Sequence, residues 1–177
     1  MADNHQTAAS QSNNCMVDIQ TTAGKSQLFS EVAGFENYGP LYKSDFHIKK
    51  IVAPDAAADL FASARIEASP LLIMIQNGTY VPDLKTSFLS GSPVAKIEIV
   101  TLGNINGTNQ MVDRLIFENC FLLAVNAAIL ADTTAVVNLS IRYTKFTHTI
   151  FQYTQDGNPP GQNEAMFDLA KNTTTES

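Results

Sequence analysis

Several things are scarce in this chain of 177 residues. It has no tryptophan, two cysteines and three histidines. Only 16% of its residues are charged, and Lys and Arg number 11 against 17 Asp and Glu. With a formal charge of −6 there is no basic stripe to follow a phosphate backbone, so nucleic acid and anionic membrane are not expected partners. The longest purely apolar stretches, Pro70 to Ile75 and Phe121 to Val125, fall far short of the roughly 20 residues that cross a bilayer. Residues Met1 to Asn14 carry neither a basic nor an apolar block, so no cleaved secretory signal is expected.

The same scarcity excludes most site chemistry. His5, His47 and His148 lie far apart with no second ligand one helical turn away, so no metal site is expected. Cys15 and Cys120 are in no Cys-x-x-Cys pair, and in a reducing compartment they are expected to stay free thiols. Gly24-Lys25-Ser26 mimics the end of a phosphate-binding loop, but the glycine required five positions earlier is Ile19. No Gly-x-Ser-x-Gly elbow surrounds any serine, and the carboxylates Asp113, Glu118 and Asp132 read as solvated charges rather than an acid pair. The expectation is no enzyme, no cofactor and no catalytic residue. Four Asn-x-Ser/Thr sequons, beginning at Asn77, Asn106, Asn138 and Asn172, read as turns rather than glycan sites.

What the chain does have is alternation. Ala135, Val137, Leu139, Ile141 and Tyr143 take one face of an extended backbone and Asn138, Ser140, Arg142 and Thr144 the other, the period of a half-buried strand. Runs from Val94 to Leu102 and from Val112 to Val125 flank Asn104 to Asn109, where Asn106-Gly107 predicts a tight hairpin with Gly107 at positive φ. Further short strands are expected near Val17, over Phe29 to Phe35, over Phe46 to Ile51 with Phe46, Ile48 and Ile51 inward, over Thr147 to Tyr153, and at Phe167. Phe167 and Leu169 are expected to face the core from the last strand, with Asp168 facing out.

Pro54-Asp55 and the Ala-rich run to Ala68 predict one helix, because Pro and Asp suit a first turn and Ala propagates it. Ser69 to Gln76 fits either a helix or a buried strand. About eight strands around one helix make the fold mainly β: a compact β-barrel of two antiparallel sheets with one α-helix on its side. Residues 15–172 are expected to form a single domain between a disordered N-terminal tail, 1–14, and a flexible C-terminal tail, 173–177.

The end of the chain resembles the Hcp family, the tube proteins of bacterial type VI secretion. The matching residues are Tyr153-Thr154-Gln155-Asp156-Gly157, a strand entering a loop, and Phe167 to Asn172, an aromatic-Asp-Leu-x-x-Asn ending. Gln155, Asp156, Gly157, Phe167, Leu169 and Asn172 carry that motif, although Phe167 stands where the family commonly has tryptophan. The family's first strand is matched only by Val17-Asp18-Ile19 and Gly24, and its helix corresponds either to 69–76, opening with Ser69-Pro70-Leu71-Leu72, or to 55–68.

The resemblance implies a structural subunit that forms hexameric rings stacked into a tube. Such a tube would meet a contractile sheath and spike and carry effector proteins in its lumen. It would assemble in the cytoplasm and leave through the secretion apparatus without a signal peptide. A tube protein of a phage tail or an extracellular contractile injection system, and an unrelated β-barrel with a ligand in its interior, are the alternatives. The apolar loop Gly34 to Ser44, with Tyr38, Pro40, Leu41 and Tyr42, either reaches a neighbouring subunit or caps the barrel, and Asp168 is a further interface candidate.

Overall fold

The computed structural model describes residues 14–21, 24–25, 28, 30, 32–51, 65–128, 135–154, 161–171 and 173–176. Six strands close a barrel: β1 (Cys15–Thr21), β3 (Gly39–Asp45), β6 (Leu71–Gln76), β7 (Val94–Ile105), β8 (Thr108–Ala128) and β9 (Val136–Arg142). The order around it is β8-β7-β1-β3-β6-β9 and back to β8, every pairing antiparallel. Short β2 (Gly24–Lys25) pairs with β1. A separate two-stranded sheet is made by β4 (Ile48–Ile51) and β5 (Arg65–Ala68). Beyond the barrel, β10 (Lys145–Gln152) pairs with β8, β11 (Gly161–Asp168) with β10, and β12 (Thr173–Glu176) with β11.

Alternation decides what fills the barrel. Val17 and Ile19, Leu71, Ile73 and Ile75, Ile97 and Ile99, and Val137, Leu139 and Ile141 all point inward and are buried, each fully hidden side chain contributing about 1.5–3 kcal/mol. Phe117 lies at the centre, edge-on to Tyr143 at 4.8 Å and to Phe46 at 5.3 Å. Phe146 and Phe167, 6.1 Å apart, extend this aromatic packing under the strands outside the barrel.

Strand β8 serves two sheets. Residues before Cys120 pair with β7 and β10, whereas Phe121 to Ala128 pair with β9. The strand turns at Asn119, whose φ of 52° is a left-handed conformation that asparagine tolerates better than most residues. The β9–β10 connection bends opposite it, with the Thr144 amide donating to the Glu118 carbonyl at 3.3 Å. Lys145 and Glu118 form an ion pair across the same junction at 2.6 Å.

Several expectations need correction. The only helix among the described residues, α1 (Val81–Ser90), lies well beyond the Ala-rich run. It carries Pro82 and Asp83 in its first turn, the same kind of start signal that Pro54-Asp55 offers, and ends on Gly91 at φ 67°. Residues 52–64 lie outside the described residues, and 65–68 form β5, where pairing with β4 overrides helix propensity. Residues 71–76 are strand, because β3 and β9 flank them on both edges.

Val32 to Tyr38 is not a strand but a pair of turns, closed by Phe35 N–H to Val32 O at 2.9 Å and Tyr38 N–H to Phe35 O at 3.0 Å. From Gly39 the supposed loop is strand β3. Ile48 and Ile51 are exposed rather than inward, since their two-stranded sheet is not paired with any described strand of the barrel. Thr173 to Glu176, expected as a mobile tail, extends the sheet as β12, in keeping with the strand preference of threonine.

Candidate assembly surfaces

The four residues of the 34–44 segment expected at a subunit contact have different positions. Leu41 is buried in the barrel core and does not face outward toward a neighbour, because the period of β3 turns it inward. Pro40, half-buried, pairs with Met16 of β1. Tyr42 lies at a register irregularity in β3 and is 43% exposed, which suits an outward contact.

Tyr38 belongs to a small second cluster on the outside of β1 and β7, where Phe35, 5.4 Å away edge-on, joins it over Met16, Val100 and Leu102. Beside them Asp18 and Glu98, both buried, stand directly opposite each other on paired strands. Gln20 Nε2 donates to Asp18 at 2.7 Å and Lys96 Nζ to Glu98 at 2.6 Å. Burial, and then the Glu98 carboxylate to which it hydrogen-bonds, hold the Tyr38 hydroxyl well above its ordinary ionisation range. Tyr38 thus covers a polar seam of its own chain.

The barrel leaves two unlike edges. Strand β3 pairs with β1 only at Gly39 and Pro40, so no described strand pairs with the other edge of Lys43 to Asp45. On β8, Phe121 to Ala128 pair with β9 on one edge, and no described strand takes the other, although α1 packs against β8. The outward side of this four-stranded region, β3-β6-β9-β8, exposes Leu72, Phe121 and Leu123, each between 46% and 48% accessible. Asn126, Asn138 and Ser140 lie among them, with charge confined to Lys43, Asp45 and Arg142. The separate β4–β5 sheet bears exposed Ile48 and Ile51 and the Lys49–Glu67 ion pair at 3.5 Å.

Asp168 has a local task. Its Oδ1 accepts from the amides of Ala170 at 3.0 Å and Lys171 at 3.1 Å, and its Oδ2 lies 3.7 Å from Lys171 Nζ, which shapes the turn from β11 to β12. Phe167 is buried, whereas Leu169 packs on the core from that turn and not from a strand, its amide donating to the Thr144 carbonyl at 2.8 Å. Gly107 is at the tip of the β7–β8 hairpin with φ 80°, next to Asn106 at 52°. Gln155, Asp156, Gly157 and Asn172 lie outside the described residues.

Ionisable side chains are dispersed. Among the described residues no three His, Cys, Asp or Glu converge on a metal-sized space. Asp113 meets His148 at 3.1 Å and Glu118 meets Lys145, so these carboxylates form separate pairs. Burial pushes the Cys120 thiol up to about 12, which leaves it protonated and unreactive at neutral pH. No described helix is long and apolar enough to cross a membrane.

Sequence reasoning missed the two edges and the Asn119–Thr144 junction. The edges had one legible signal, the Lys43-Ser44-Asp45 run, since charge on a strand guards an unpaired edge. The junction had almost none, because an asparagine inside an apolar run does not announce a positive φ.

No protein-family model and no curated protein matches the sequence. Solved structures do. A type six secretion system protein superposes with a TM-score of 0.75 at 11% identity, over 90% of this chain and 99% of that one. Hcp1 from Salmonella typhimurium gives 0.70 at 12% identity, covering 91% and 99%. The secreted protein Hcp3 from Pseudomonas aeruginosa gives 0.58 at 14% identity, covering 92% and 95%. At such identities the likeness is one of fold, and the fold of this chain, nearly end to end, is that of the Hcp proteins.

Proposed function

We propose that this protein is a tube subunit of a type VI secretion system, closing head to tail into hexameric rings that stack. The observation that carries this reading is the likeness of fold over 90% of this chain and 99% of a type six secretion system protein. Two unlike strand edges, at Lys43 to Asp45 and at Phe121 to Ala128, support it. Pairing one with the other in the next copy is a heterologous contact, and such contacts close into rings when the rotation between copies divides a full turn. The apolar outward face of β6 and β8 would then line the inside of the ring, and the β4–β5 sheet, marginal as an isolated pair of strands, would find a partner in a neighbouring copy. Sheath, spike and effector proteins complete the reading as partners, with assembly in the cytoplasm before export.

Light scattering coupled to size exclusion, followed by negative-stain microscopy, tests this. Rings are the expected result. A 19.2 kDa monomer at every concentration would overturn it.

A further inference from the structure

The tip of the β7–β8 hairpin holds an Asn-Gly pair in which both residues are exposed and both have positive φ. Asparagine followed by glycine is chemically fragile. The glycine amide nitrogen can attack Cγ of the asparagine side chain, forming a new C–N bond while the side-chain nitrogen leaves as ammonia with the amide proton. Water then opens the cyclic imide at either carbonyl, giving aspartate or isoaspartate. Both products carry a new negative charge, and isoaspartate also inserts an extra backbone carbon into a turn that fixes the pairing of Ile105 with Thr108.

One contact bears directly on the attacking atom. The Gly107 N–H donates to Asn104 Oδ1 at 3.0 Å. Succinimide formation needs that nitrogen to shed its proton and to swing toward Asn106 Cγ. The Asn104 carbonyl oxygen, an acceptor too weak to serve as a base, holds the proton in place and aims the nitrogen back toward β7. We infer that Asn104 guards Asn106, making the hairpin tip a latent site of conversion to aspartate and isoaspartate that opens when this hydrogen bond is lost. The left-handed turn adds to the protection, because it must be abandoned before the ring can close.

The test is a time course of the full-length chain in warm, mildly alkaline buffer, followed by peptide mass spectrometry and isoaspartate-specific enzymatic labelling at Asn106. Folded wild-type protein should convert several-fold more slowly than the same chain unfolded in urea. Asn104→Ala should convert several-fold faster than wild type while its circular dichroism is unchanged, and Asn104→Asp, which keeps an acceptor, should stay slow. Should Asn104→Ala not fold, Asn104→Val supplies the same loss with better strand propensity. Conversion of a folded Asn104→Ala or Asn104→Val protein at the wild-type rate would overturn the proposal, as would wild-type conversion equally fast folded and unfolded.

Discussion

Asn119 and Thr144 meet where two backbones bend together: the Asn119 side-chain amide donates to the Thr144 hydroxyl at 3.2 Å, and one residue earlier the Glu118 carbonyl accepts from the Thr144 amide. On one side β8 leaves its partners β7 and β10 for β9; on the other, β9 gives way to β10. Because Asn119 is left-handed, Asn119→Val is expected to cost about 1–2 kcal/mol in backbone strain, plus the lost side-chain bond. Asn119→Gly should keep the backbone and lose only the latter. Urea denaturation of the two variants gives the comparison; equal loss would show that the side chain, not the turn, matters.

The hairpin tip gives a cleaner case of the same strain. A Cβ on Gly107 would meet nothing within 4 Å, so Gly107→Val suffers from its φ of 80° and not from a clash. The expected cost is about 1–2 kcal/mol, with Gly107→Asn milder. Thermal melting would read it, and an unchanged midpoint for the valine variant would refute it.

Phe167 and Asp168 should fail by different routes. Phe167→Ala removes a buried ring from the Phe146 contact and should cost about 3–5 kcal/mol. Asp168→Ala orphans two amides of an exposed turn, for a cost nearer 1 kcal/mol. Circular dichroism melts should rank them in that order.

Leu41 and Tyr42 separate folding from assembly. Leu41→Ala should destabilise the monomer by about 2–5 kcal/mol. Tyr42→Ser should leave the melt nearly unchanged and, if the β3 edge meets a second copy, shift the elution of rings toward monomer.

Alkali should loosen the core through Cys120 and Tyr143, whose ionisation burial pushes up to about 12 in each case. Raised values in the folded state mean stability that is full below the ordinary values of 9.0 and 10.0 and is lost as pH climbs toward 12. Each group should contribute a loss of about 1.4 kcal/mol per pH unit within its window. Cys120→Ala should flatten the earlier part of the decline, measured by urea denaturation between about pH 8 and about pH 10.

Strands whose two faces differ were legible. Val136 to Arg142 and the arms around Asn106-Gly107 formed where alternation and turn chemistry placed them. The helix was misplaced because 81–90 is short and lacks alanine, while Ala-rich residues next to 65–68 suggest helix without any knowledge of β4. Leu41 shows the limit for sites: one residue from exposed Tyr42, it differs only in which way a strand not yet recognised would turn it. Edges are a property of topology, and no residue at Phe121 to Ala128 states that its neighbour is missing.

Strand β8 holds both parts of the barrel in one length of backbone. A molecule with separate sheets could lose one and keep the other; here each part is anchored on one half of the same 21-residue strand, so opening either frees half of the other's support. Amide protons on β7 and β9, distant in sequence, should therefore become exchangeable together, in a single opening event as rare as global unfolding.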